Sequence, residues 1–399
     1  MPPLSSRKPM IEHLRWFSLA AAGLIAGCAL QPLPDGPCPC PGLPAVAPRV
    51  NALEPVDFGA LTGWKEGEQA AAWPAFLSSC QALRWREAWR GVCARAMELR
   101  SPGDEEARRF LEENFTPWRL ANPDGTIDGM VTGYYEPLLR GSRTRHGRYQ
   151  TPIYALPPDL ISVDLGKFRP ELAGERIAGR VEGQKLVPYA TRAEIAVKPP
   201  NTATLVYADD PVSVFFLHIQ GSGRVLLDDG TTIRVAYAGQ NGQLYTPIGR
   251  VMLQEGLLDK GELSMQSIRN WLRAHPTEGK KVMEKDASFI FFAEHPLGDP
   301  ERGSAGTEGV PLTPRASIAV DTRLHALGSP FFLSAATPDG KVMQELMIAQ
   351  DTGGAIRGPA RADIFFGFGR EAETLAGGMK ATGAFYVLLP ISLTPKPAP

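Results

Sequence analysis

The sequence predicts a mainly β protein of closed architecture with a few helices, and three observations carry that expectation. Short strand-like runs follow one another from residue 129 to residue 389, separated by glycine and proline. The long helices that parallel crossovers require are missing between them, which disfavours a doubly wound sheet. Composition, 43% apolar and 21% charged over 399 residues, is that of an ordinary globular chain with room for about two domains.

Taken in order, the chain begins with Arg7, Lys8 and Arg15 ahead of an apolar run over residues 16–25. That run is long enough for a signal-peptide core and too short to span a bilayer. It ends in Ile25-Ala26-Gly27-Cys28, which looks like the lipobox of bacterial lipoproteins. Residues 1–27 are therefore expected to be removed and Cys28 to carry lipid, with an ordinary cleaved signal as the bland alternative. Residues 28–50 hold seven prolines and few bulky apolar side chains, too little to fold a core, and read as an extended tether. Cys38 and Cys40 lie two apart in it, a spacing unsuited to a mutual disulfide, and stay unassigned.

Over residues 58–120 the pattern is helical. Ser101-Pro102-Gly103-Asp104 reads as a helix start, and Ala107, Phe110, Leu111 and Phe115 share a face that should be core. Cys80 and Cys93 lie in this block and favour a disulfide in an oxidising compartment. The period then changes, and residues 129–135, 212–219, 223–227 and 231–237 read as strands, with Asp229-Gly230 a hairpin turn. Helices are expected at 247–258 and 264–274, a strand at 289–292, and a polar glycine-rich loop at 298–309. Strands return at 315–321, 330–334, 344–351, 362–366 and 384–389. No internal repeat is present.

Function concentrates in residues 350–369, where carboxylates meet apolar strands and glycines. An apolar run delivers Asp351 to a turn whose Gly353 and Gly354 permit backbone conformations other residues avoid. A second run starts directly after Asp363, and Asp321 ends a third, so one rim would hold three carboxylates if these strands share a barrel. One such aspartate alone would be a turn residue bonding its own main chain.

Other chemistries fit poorly. Forty-two basic against 43 acidic residues give no field for nucleic acid. Beyond the expected signal segment the histidines, His146, His218, His275, His295 and His325, are scattered without a nucleophile elbow, and no spacing suits a metal. His218 on an apolar strand reads as a core or groove residue. Gly367-Phe368-Gly369 loosely resembles a dinucleotide turn, but no βαβ unit surrounds it. No cofactor is called for. What remains is carboxylate chemistry on a sugar.

Thr132-Gly133-Tyr134-Tyr135-Glu136-Pro137, Gln220-Gly221-Ser222-Gly223, Tyr237-Ala238-Gly239 with Asn241-Gly242, and Asp351-Thr352-Gly353-Gly354-Ala355-Ile356 followed by Asp363 occur in one order. Together they resemble the membrane-bound lytic murein transglycosylase A family of bacterial envelope enzymes. The resemblance implies a double-psi β-barrel domain built from residues 51–137 and 300–399, with a smaller β domain, residues 138–299, inserted to form the other wall of a glycan groove. It implies cleavage of the β-1,4 bond between N-acetylmuramic acid and N-acetylglucosamine of peptidoglycan, the substrate's own C6 hydroxyl attacking to leave a 1,6-anhydro ring. By its place in the motif Asp363 matches the family's catalytic aspartate, acid and then base, its pKa raised by Ile364 and Phe365 and by like charges at Asp351 and Asp321. A structural rim role for Asp351 and Asp321 is the alternative.

Thr132, Tyr134, Tyr135, Gln220, Ser222, Asn241, Gly353 and Gly354 are candidate subsite residues, a core role being the alternative for the tyrosines. The family's usual Asn-Pro-Ser-Tyr segment reads Asp286-Ala287-Ser288-Phe289, a departure whose effect on that segment is open. Competing readings are a muramidase-type hydrolase, which needs a second carboxylate, and a non-catalytic peptidoglycan-binding lipoprotein, which needs none. Expected partners are glycan strands, the membrane through the lipid, and a cell-wall synthesis and hydrolysis complex. Ala29 after Cys28 favours the periplasmic face of the outer membrane.

Overall fold

The computed structural model describes residues 53–337 and 340–393, so Cys28 and the tether with Cys38 and Cys40 lie outside the described residues. The described residues open with strand β1 (Leu53–Pro55) and helices α1 (Trp73–Leu83), α2 (Glu87–Leu99) and α3 (Asp104–Asn114). Strands β2 (Phe115–Leu120), β3 (Gly129–Glu136), β4 (Leu138–Ser142), β5 (Thr151–Tyr154), β6 (Ile161–Asp164), β7 (Arg176–Glu182) and β8 (Lys185–Pro188) follow. Then come α4 (Arg192–Val197), β9 (Thr204–Ala208), α5 (Pro211–Gln220), β10 (Ser222–Leu227) and β11 (Thr232–Gln240). Helices α6 (Ile248–Gln254), α7 (Met265–Ala274) and α8 (Pro276–Glu284) lead to β12 (Ile290–Pro296), β13 (Ser317–Ala319), β14 (Pro330–Ala336) and β15 (Val342–Asp351). Strand β16 (Arg361–Phe368), α9 (Gly369–Gly378) and β17 (Lys380–Pro390) are the last strands and α-helix among the described residues.

Eight strands form one sheet in the order β1-β2-β17-β14-β15-β13-β16-β3, and β17 also pairs with β3. The pairing path from β3 through β17, β14, β15, β13 and β16 therefore returns to β3. Period-two alternation sorts its side chains into two sets. Val131, Ile318, Leu333, Met347, Ile364 and Phe385 fill one cluster. Phe332, Leu346, Ile348 and Leu388 point the other way, into a second cluster with Trp64, Phe76 and Leu83 and with Phe110 and Leu111 of α3. Each fully buried leucine or phenylalanine contributes roughly 1.5–3 kcal/mol relative to exposure. Cys80 on α1 and Cys93 on α2 are joined by a disulfide, their Cα atoms 5.1 Å apart.

A six-stranded sheet, β12-β11-β10-β4-β9-β5, and a three-stranded one, β6-β7-β8, make up the middle of the chain. Leu139, Val206, Val225 and Val235 of the larger sheet pack against Leu217 of α5. Phe215 and Phe216, on other faces of that helix, pack with Ile248, Met252, Leu272 and Val282. The crossing from one sheet to the other at β3–β4 is pinned by Glu136, which is fully buried. Its carboxylate takes Arg224 of β10 at 3.1 Å and Arg234 of β11 at 3.3 Å, and accepts from the Ser304 amide on the returning chain at 2.8 Å.

Two expectations need correction. Residues 212–219 are the interior of α5, not a strand. Apart from Ser213 and His218 the run is apolar, so its period does not discriminate, whereas its ends do: Asp210 accepts from the Val212 amide, Pro211 occupies the first turn, and Gly221 closes the helix at φ +81°. His218 is thus helical, sealed against Phe289 and Phe292. The helical block stops at Asn114 rather than 120, because Pro117 disfavours helical backbone at Thr116, and β2 pairs with β17 instead. The polar stretch after His275, for which no element was expected, is a helix, α8, started by Pro276.

Candidate active site

On β16, Ala362 and Ile364 are buried inside the strand circuit, so Arg361, Asp363 and Phe365 share the opposite face. Parallel pairing with β3 sets Asp363 beside Thr132 and Phe365 beside Tyr134. Thr132 Oγ1 donates to Asp363 Oδ1 at 2.6 Å while accepting from Arg361 Nη2 at 2.7 Å, so one hydroxyl relays a cation to the carboxylate. Burial pushes Asp363 above the ordinary carboxylate range and the nearby Asp351 charge adds to this, against the Thr132 hydrogen bond and Arg361.

Asp351 ends β15. Its Oδ2 accepts from the Tyr134 hydroxyl at 2.9 Å, and its Oδ1 accepts from the Thr307 amide at 3.0 Å and the Thr307 hydroxyl at 2.9 Å. Burial nevertheless raises its pKa against these donors. The Tyr134 phenol is pushed well above its usual value, first by burial and then by Asp351. Its ring lies on Phe365, centroids 5.3 Å apart. The loop that supplies Thr307 runs so close to β15 that a Cβ at Gly306 would lie 2.5 Å from the Gln350 carbonyl oxygen, which only glycine avoids.

The other sequence candidates divide. Asp321 is fully buried and receives Arg323 Nε and Nη2 at 2.9 and 2.7 Å and the Gly358 amide at 2.9 Å. The Arg323 guanidinium holds it well below the usual range, and the like charge that bears on Asp363 is that of Asp351. Gly353 and Gly354 follow β15 without the left-handed backbone expected of them; in that turn it is Gly358 that adopts it, at φ +105°. Gln220 accepts from the Tyr135 amide at 2.9 Å, tying the end of α5 to β3, and Ser222 lies 3.4 Å from Glu136.

Tyr135 is core, packed on Ala372 and Ala376 of α9, with its hydroxyl accepting from Arg269 at 3.0 Å. Asn241 is fully buried, and its amide nitrogen is spent on the carbonyls of Ala190 and Ala287 and its oxygen on the amides of Phe289 and Gln243. It is a scaffold residue rather than a subsite. In the variant segment Asp286 pairs with Arg192 at 3.2 Å and Phe289 meets His218 edge to face.

Sequence reasoning passed over Arg361 and Thr307. Arg361 was legible, since residues two apart on a strand share a face. Thr307 was not, because it lies in irregular backbone that only the fold brings to Asp351. Together the residues make a partly buried carboxyl group biased toward its protonated form, with a second carboxylate and a phenol beside it. Such a group can give a proton to a leaving oxygen and take one back.

Residues 130–293 match the model of the MltA specific insert domain and residues 316–389 that of the 3D domain. Membrane-bound lytic murein transglycosylase A of Escherichia coli (strain K12) is 31% identical over 299 residues, 73% of each chain. The crystal structure of MltA from Neisseria gonorrhoeae in its monoclinic form is 37% identical with a TM-score of 0.74, covering 87% of this chain and 94% of that one. The structure of E. coli MltA with bound chitohexaose is 26% identical with a TM-score of 0.65, covering 85% and 94%.

Proposed function

The chain belongs to the membrane-bound lytic murein transglycosylase A family, and on that premise we propose that it cleaves peptidoglycan between N-acetylmuramic acid and N-acetylglucosamine, with Asp363 as its single acid and base. Asp363 gives its proton to the glycosidic oxygen as the bond to C1 breaks. The C6 hydroxyl oxygen of the same N-acetylmuramic acid ring bonds to C1, and its proton passes to the Asp363 carboxylate, so no water is consumed and the acid is restored. An intramolecular nucleophile already has a high effective molarity, which leaves the protein to supply the proton and hold the ring.

The observation that carries this reading is the environment of Asp363, where burial favours the protonated acid while Thr132 and Arg361 stand ready to receive the carboxylate. We read the six-strand circuit as a double-psi β-barrel, residues 51–137 with 300–399, and residues 138–299 as the inserted domain that walls the glycan groove. The chitohexaose bound by the E. coli relative supports a glycan there. Tyr134, Gln220, Ser222, Gly353 and Gly354 are its proposed lining. Among the described residues no helix is long and apolar enough to cross a membrane. Lipid at Cys28 would instead hold the protein at the periplasmic face of the outer membrane, within reach of a cell-wall complex.

The test is to give purified protein peptidoglycan glycan strands and weigh the soluble products by mass spectrometry. Anhydro ends, lighter by one water than reducing ends, are expected, and Asp363→Asn should cut turnover by about 10² to 10⁴-fold while glycan binding survives. Reducing ends would assign the chemistry to a hydrolase, and binding without products would make the protein a binder. A fully active Asp363→Asn would remove the acid from Asp363.

A further inference from the structure

The loop at residues 303–310 crosses the end of β15, and two neighbouring side chains leave it on opposite sides. Thr307 turns to Asp351, as described above. Glu308 turns to the helical layer, where its Oε2 accepts from the Ser79 hydroxyl of α1 at 2.6 Å. Its own amide donates to the Gln350 carbonyl at 3.0 Å. Gln350 in turn gives its amide nitrogen to Ser79 Oγ at 2.9 Å and to the Ala75 carbonyl at 2.9 Å, and accepts from Ser317. The niche is closed by Leu83 and Gly328, where an added Cβ would lie 2.6 Å from Glu308 Oε1. That oxygen is buried and has no hydrogen-bond partner.

We propose that Glu308 is a positioning residue for the cleavage reaction: seated against α1 as the neutral acid, it holds the loop so that Thr307 stays on Asp351, the carboxylate beside the proposed acid Asp363. The charge facing Glu308 is Arg86, from the turn between α1 and α2, while Ser79 of α1 and Gln350 of β15 face it as neutral groups. One buried oxygen without a donor is tolerable in a carboxylic acid and costly in a carboxylate. Burial accordingly raises Glu308 to about 7, with the Ser79 hydrogen bond and Arg86 opposing. Ionisation draws the side chain toward water and Arg86, the loop follows, and Asp351 loses both Thr307 donors. The inference rests on the function proposed above.

The experiment follows the rate of glycan-strand cleavage by the purified full chain from pH 5 to pH 9, together with hydrogen exchange of residues 303–310. The parent should lose rate through an inflection near pH 7 and its loop should exchange faster above it. Glu308→Gln, neutral at every pH, should remove the Glu308 inflection and the change in exchange, leave only the limb set by Asp363, and raise the ratio of the pH 8 rate to the pH 6 rate about tenfold over the parent's, the change in protonated fraction of a group titrating at about 7. Ser79→Ala removes the donor that favours the carboxylate, so its inflection should move upward. An active parent whose profile and loop exchange superimpose on those of Glu308→Gln, or a Ser79→Ala inflection that stays in place, overturns the positioning role alone. A parent that leaves glycan strands intact at every pH overturns the functional reading and the positioning role with it.

Discussion

Replacing Thr132 with valine would test the acid's environment without moving its backbone. The Thr132 hydroxyl gives Asp363 a 2.6 Å hydrogen bond and links it to Arg361, and both effects favour the carboxylate. A hydrogen bond to a charged acceptor contributes about 1.5–3 kcal/mol, and each pH unit corresponds to about 1.4 kcal/mol, so its loss should raise the Asp363 pKa by roughly 1 to 2. Because Asp363 is partly open to solvent, the lower end, about 1, is expected. The sign is definite. An acid that must be protonated to act works to higher pH when its pKa rises, so the alkaline limb of kcat/KM should move upward. Initial rates of glycan cleavage from pH 4 to pH 9, taken in the Glu308→Gln background, assign that limb to one group. A limb that stays in place or moves down would mean that the titrating acid is not Asp363.

Two further outcomes are expected. Glu136→Gln leaves Arg224 and Arg234 buried without the carboxylate they share, which should cost about 3–5 kcal/mol and lower the urea midpoint at unchanged slope. An unchanged midpoint would mean that the carbonyls of Arg302 and Leu297, which these arginines also reach, satisfy them alone. Cys28→Ser should free the protein from detergent-extractable membranes, because the several chains of a processed lipoprotein hold stably where one does not. Continued partition with membranes would remove lipid from Cys28.

Where one face of an element meets a core and the other meets something different, its sequence was readable. Strands β14 and β15 send successive side chains into two different clusters, and β16 sends Ala362 and Ile364 into one of them, which leaves Arg361 and Asp363 on its other face. Helix α5 hid its type because it is apolar on every side, with Leu217 against one cluster and Phe215 against another, so burial erased the pattern that distinguishes helix from strand. Asn241 carried the chemistry of a sugar-binding amide, but four backbone partners, three of them distant in sequence, consume it. Thr307 and Glu308 belong to irregular backbone, whose destination depends on long-range packing that no local period records.

The last strand sets the order in which this molecule can be completed. β17 pairs with β3 through residues 380–383, with β14 through 382–387 and with β2 through 386–390, so one terminal segment joins strands from both ends of the chain. Until it emerges, β3 and β14 each present an open edge of unpaired amides and carbonyls, and neighbouring nascent chains can pair with such edges. Contacts of this sequence separation are slow to form. The protein therefore has a long vulnerable interval after synthesis, during which anything that keeps the chain extended also protects it, and a ribosome stalled before residue 380 yields a product that cannot seal itself.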